Sequence, residues 1–96
     1  MINVKVHTIL GLKKIIGQRE LEISIPEESS VEALLSQMVQ NWGEALSSHI
    51  FEPGSTLLLS HIRLMVNGQD IGFLKGMETL LGDGDEVLIL PPVSGG

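Results

Sequence analysis

The residues best suited to chemistry lie together at the end of the chain, in Pro91-Pro92-Val93-Ser94-Gly95-Gly96. Two prolines fix φ near −65° and favour the extended polyproline form, so this stretch should project from whatever precedes it. Gly95 and Gly96 lack Cβ, which lets them thread a narrow channel and lets another backbone and a nucleotide approach the terminal carbonyl. An α-carboxylate is ionised at neutral pH and is a poor electrophile until it becomes a mixed anhydride such as an acyl-adenylate. The chain has no cysteine, which removes disulfides, zinc-thiolate sites and cysteine nucleophiles together. Acyl or sulfur chemistry would therefore have to be carried at Gly96. His7, His49 and His61 have no ligand spacing, no serine sits in a nucleophile motif, and there is no phosphate-cradling loop. No catalytic site of the chain's own is expected, and activation of the tail must come from an enzyme.

The tail needs a root, and Glu86-Val87-Leu88-Ile89-Leu90 supplies one. Apolar residues at successive positions suit a central strand covered on both faces, or one whose outer face is an interface. Alternation favours Val87 and Ile89 towards the core, with Leu88 and Leu90 outward.

Upstream, Ile2, Val4 and Val6 alternate with polar residues, predicting a strand to about Leu10, and Leu21, Ile23 and Ile25 predict its hairpin partner. The segment from Gly11 to Gly17 reads as the connecting loop, with Lys13 and Lys14 as solvated surface. Pro26 ends the second strand. Ser29 and Glu32 read as a capping box for a helix from Ser30 to Asn41, with Gly43 terminating it. Val31, Leu34, Leu35, Met38, Val39 and Trp42 form its apolar face.

The signal weakens from Glu44 to Ser60. Ala45, Leu46, His49 and Ile50 suit a short helix, Pro53-Gly54 a turn, and Thr56 to Leu59 either a strand or a packed loop. Ile62, Leu64 and Val66 alternate with Arg63 and Met65 in a third strand. Asn67-Gly68 then makes a hairpin turn into a short fourth strand from Gln69 to Ile71. Residues Phe73 to Leu81 suggest a short helical turn, and Leu81 to Asp85 a tight turn. Asp83, Asp85 and Glu86 bring carboxylates together, but the further ligands of a calcium loop are missing from the spacing.

The order β-β-α-β-β-β predicts an α+β fold: a mixed sheet of about five strands packed on one main helix. With the first and last strands adjacent and parallel, it is the ubiquitin-like β-grasp. The 96 residues make one domain over 1–90 with a flexible tail over 91–96. Aromatic residues number only three, Trp42, Phe51 and Phe73, so aliphatic side chains and methionine must fill the core. A net charge of −6 opposes binding to phosphate backbones, so nucleic acid is not an expected partner. No signal-like segment or apolar run of membrane-spanning length is present, and a cytoplasmic location without a membrane partner is expected.

The segments Val66-Asn67-Gly68, Leu81-Gly82-Asp83-Gly84-Asp85-Glu86-Val87 and Pro91 to Gly96 resemble the MoaD/ThiS family of sulfur carriers, nearest its molybdopterin synthase small-subunit branch. The helix start Ser30-Val31-Glu32-Ala33-Leu34-Leu35 agrees. Two terminal glycines alone arise by chance at roughly one in two hundred, so the weight rests on the combination. The resemblance implies that an ATP-dependent enzyme of the ubiquitin-activating type adenylates Gly96, and that sulfur from a donor protein converts it to a thiocarboxylate. The sulfur then serves a molybdopterin synthase large subunit in making the molybdenum or tungsten cofactor. Gly95, Ser94, Val93, Pro92 and Pro91 would be the threaded tail, and Leu90, with Leu88, the partner contact. No bound cofactor is implied, since the ATP belongs to the activating enzyme. Thiamine or cysteine synthesis, or isopeptide attachment of Gly96 to other proteins, would use the same tail. The Pro-Pro-Val-Ser-Gly-Gly ending weighs against the thiamine carrier.

Overall fold

The computed structural model describes residues 1–8, 11–52, 54 and 62–90. Five strands form one sheet in the order β2-β1-β5-β3-β4, with β1 Ile2–Thr8, β2 Glu20–Ile25, β3 Arg63–Val66, β4 Gln69–Asp70 and β5 Glu86–Leu90. Neighbouring strands are antiparallel except β1 and β5, which run parallel with Val6 opposite Val87 and His7 opposite Leu88. That parallel pair, with a helix crossing one face, is the expected β-grasp arrangement.

The alternation read in the sequence sets which face is buried. Val4, Val6, Leu64, Val87 and Ile89 are buried beneath the helices, while Asn3, Lys5, Arg63 and Glu86 stand on the open face. Helix α2, Val31–Trp42, covers the sheet with Val31, Leu34, Leu35 and Met38 fully buried, and Val39 and Trp42 packed at the edge of the same core. The Asn67-Gly68 turn joins β3 to β4 with φ of 51° and 84°, the paired positive angles of the tightest hairpins.

The start of α2 corrects the expected cap by one residue. Ser30, not Ser29, is the capping residue: its backbone is extended and its Oγ accepts from the Ala33 amide at 3.2 Å. Glu32 therefore sits one place too early to close a capping box. Ser29 is buried and donates instead to the Pro26 carbonyl at 2.6 Å, which ties down the turn before the helix. Adjacent serines could not be told apart by spacing alone. Gly43 ends the helix as expected, with φ of 68° and its amide donating to the Val39 carbonyl at 2.6 Å.

The same turn holds Glu28 at φ of 63°, a left-handed conformation that strains a residue bearing Cβ. Two substitutions here should act with opposite signs. Ser30→Ala leaves a helix donor unsatisfied and should cost about 1 kcal/mol, whereas Glu28→Gly should stabilise by about 0.5 to 1 kcal/mol. Urea unfolding of both variants measures this.

Two short helices accompany the main one, and the first of them replaces an expected loop. Where a loop is expected between β1 and β2, α1 spans Gly11–Ile16, buries Ile16 and closes at Gly17, whose amide donates to the Lys13 carbonyl at 2.7 Å. Six residues cannot hold a helix alone; packing against α3, Glu44–Ile50, holds this one. Lys13 and Lys14 are exposed, as expected. Helix α3 itself follows the reading of Ala45 to Ile50, and buries Leu46 and Ile50. The fourth strand stops at Asp70 because Ile71 turns inward to open a short 3-10 turn, Ile71–Phe73, followed by a second, Gly76–Glu78. Gly54 has the positive φ of a turn, while Pro53, the Thr56 to Leu59 stretch and the Ile9-Leu10 end of the first strand lie outside the described residues.

Candidate functional site

Strand β5 is the middle strand of the sheet, hydrogen-bonded to β1 on one side and β3 on the other. Its inward residues Val87 and Ile89 are completely buried, and its outward residues Leu88 and Leu90 are half-buried on the open face. The outward orientation of both leucines agrees with the expected alternation. Pro91, Pro92, Val93, Ser94, Gly95 and Gly96 follow directly and lie outside the described residues.

The strand enters through a braced turn. Asp85 Oδ2 accepts from the Gly82 amide at 2.7 Å and its Oδ1 from the Asn67 side-chain amide at 3.0 Å. Asn67 Oδ1 in turn accepts from the Glu86 amide at 3.0 Å, and its own amide donates to the Glu86 carbonyl at 2.8 Å. Asp83 Oδ1 accepts from the Asn3 amide at 2.8 Å. These bonds fix the Leu81 to Glu86 turn to the β3-β4 hairpin and to the start of β1. They give Asp83 and Asp85 a structural explanation as hydrogen-bond acceptors. Among the described residues no group of three or more His, Asp or Glu side chains is placed to hold a metal ion.

Strand register assembles a row across the open face that the sequence could not show. Glu20, His7, Leu88, Met65 and Asp70 stand opposite one another on β2, β1, β5, β3 and β4. Met65 joins Leu88 as apolar surface in the middle of this row; its place on the outer face was readable from alternation, but its partner on β5 was not. His7 Nε2 lies 2.8 Å from Glu86 Oε1, and His7 Nδ1 lies 3.5 Å from Glu20 Oε1. The imidazole thus links three strands, a role that spacing along the chain does not reveal. An open depression of about 860 Å³ crosses this end of the face, lined by His7, Glu20, Met65, Asn67, Glu86 and Leu88 among others.

A face with an apolar centre and a charged rim is the usual anatomy of a protein-docking surface. What the geometry offers is a rigid strand, anchored at its entry, that carries two outward leucines up to the Pro91-Pro92 step.

Comparison with known proteins agrees with this arrangement. The ThiS family model matches residues 8–96. The small archaeal modifier protein 3 of Haloferax volcanii is 29% identical over 84 residues, covering 88% of each chain. The sulfur carrier protein CysO of Mycobacterium tuberculosis is 32% identical over 81 residues, covering 83% of each. The solution structure of small archaeal modifier protein 1 from Methanosarcina acetivorans superposes with a TM-score of 0.82 at 33% identity, covering 100% of this chain and 98% of that one. The family match runs from the end of β1 through the helices and the other four strands to Gly96, so the chain belongs to the MoaD/ThiS family of ubiquitin-like sulfur carriers and modifiers.

Proposed function

We propose that this protein is a sulfur carrier whose Gly96 carboxylate is adenylated and then converted to a thiocarboxylate that donates its sulfur in molybdopterin synthesis. The observation that carries the reading is the continuity of the central strand β5 with the Pro91 to Gly96 tail, together with the outward Leu88 and Leu90 at that junction. In the proposed reaction a carboxylate oxygen of Gly96 attacks the α-phosphorus of ATP, and pyrophosphate leaves. A sulfur nucleophile at the sulfide level then attacks the acyl carbon and AMP leaves, which gives the thiocarboxylate. Delivery of the sulfur and hydrolysis regenerate the carboxylate. The chain's own contribution is presentation: Pro91 and Pro92 direct the tail outward, Val93, Ser94 and Gly95 occupy the enzyme's channel, and Leu90 with Leu88 docks on the activating enzyme and on the synthase large subunit.

The molybdopterin destination rests on the spelling of the tail, Pro-Pro-Val-Ser-Gly-Gly. The likeness to archaeal modifier proteins favours a second reading, in which the activated Gly96 is attacked by a lysine amine and forms an isopeptide bond. The likeness to CysO supports a cysteine-forming destination for the same thiocarboxylate.

Pyrophosphate exchange tests the first step that all three share. A ubiquitin-activating-type enzyme from the same organism should exchange labelled pyrophosphate into ATP only when this protein is present; exchange independent of it contradicts the proposal. Reconstitution of the charged carrier with a molybdopterin synthase large subunit and its precursor then tests the destination. Formation of the dithiolene supports it, and sulfur retained on Gly96 argues against it.

A further inference from the structure

We propose that the free edge of β2 takes up an extended, basic segment of a partner protein as an additional strand of the sheet. Strand β2 ends the strand order, and among the described residues no strand pairs with its outer side. The Thr8 amide donates to the Arg19 carbonyl at 2.8 Å, and the register places Thr8 opposite Arg19 by continuing His7 opposite Glu20. By the alternation of antiparallel ladders, Leu21, Ile23 and Ile25 then bond to β1, and Glu20, Glu22 and Ser24 turn their backbone groups away from it. Strand β1 confirms the phase from its other side. Its odd-numbered residues bond towards β5, with the Lys5 amide donating to Asp85 and the Asn3 carbonyl accepting from Gly84, both at 2.9 Å. Three amides and three carbonyls thus face outward along a strand whose Glu20, Glu22 and Ser24 are exposed.

The side chains select the occupant. Glu20 and Glu22 rise from the open face of this edge, and Leu21 is half-buried on its helix-facing side. A second copy fits badly: antiparallel pairing centred on Glu22 sets Glu22 against itself, between chains that each carry a net charge of −6. A strand alternating lysine or arginine with apolar residues meets both faces correctly. Its cations lie beside Glu20 and Glu22, and its apolar side chains lie beside Leu21 and extend the core. Strand addition of this kind draws its affinity from main-chain bonds and its specificity from alternate side chains. The edge shares Glu20 with the rim of the depression that Leu88 lines, so the added strand lies beside the outward leucines of β5 without covering that strand.

The test uses the full chain, isotope-labelled, titrated with a capped octapeptide of alternating lysine and valine. Binding should shift the amide resonances of Glu20, Glu22 and Ser24 and slow their exchange with solvent. The same peptide with alternate backbone nitrogens methylated should bind at least about tenfold more weakly, because it cannot complete the ladder. The variant E20Q/E22Q should keep the folded spectrum and lose about tenfold in affinity. Equal binding of the methylated peptide, shifts centred on Leu88 and Leu90, or β2-to-β2 dimerisation of the free chain would each overturn the proposal.

Discussion

Deleting Gly96 should abolish both acyl-adenylate and thiocarboxylate formation, while the unfolding midpoint in urea should stay where it is. The first half follows from the chemistry: with no cysteine in the chain, no side-chain thiol can take over as the sulfur-bearing group. Even if the deleted chain, now ending in Gly95, were adenylated, its acyl carbon would fall one residue short of the channel's end, a displacement of roughly 3 Å. Misplacements far smaller than that remove most of the advantage of a positioned reactant. The second half follows from the fold, since the core is built from residues between Ile2 and Ile89. A variant that lost both activation and stability would place the tail in the folding unit and contradict its role as a separate working end.

Strand β5 should divide cleanly when substituted on its two faces. Ile89 is fully buried, so Ile89→Ala removes packed methyl groups and leaves a cavity, at a cost of about 2 to 5 kcal/mol. Leu88, one residue away, is half-buried on the open face beside Met65 and His7, so Leu88→Ala should cost well under half as much. Binding reverses the order. As a central apolar anchor of the docking surface, Leu88 should carry about 2 kcal/mol, and its loss should weaken association with the activating enzyme about thirtyfold. Urea unfolding and calorimetric titration on the same two proteins give the comparison. If Leu88→Ala binds as well as the parent, the open face is not the docking surface.

Much of this was legible in the residues themselves. Period-two alternation in Ile2, Val4 and Val6, and again in Val87 and Ile89, assigns inside and outside because one face of the sheet is buried. Asn67-Gly68 announces its hairpin because few other pairs accept two positive φ angles. What escaped is what depends on tertiary context. Helix α1 has too few residues for a periodic signal and exists through its packing on α3. The cap on Ser30 and the turn bond of Ser29 exchange roles between neighbouring serines, a difference of backbone angle and not of chemistry. The contacts of His7 with Glu86 and Glu20 join positions 79 and 13 residues away, and only the register of three strands brings them together. The outward side of Leu88 and Leu90 is legible from one strand alone, whereas the placement of Met65 beside Leu88 needs the pairing of β3 with β5.

In the proposed function sulfur is carried on the carboxyl group of Gly96. The most direct test is intact and fragment mass measurement after incubation of the full chain with the activating enzyme, ATP and sulfide. The expected result is a gain equal to the replacement of one oxygen by sulfur, confined to the fragment that ends in Gly96 and absent when ATP is withheld. A chain of unchanged mass under conditions that consume ATP, or sulfur found on any other fragment, would contradict it.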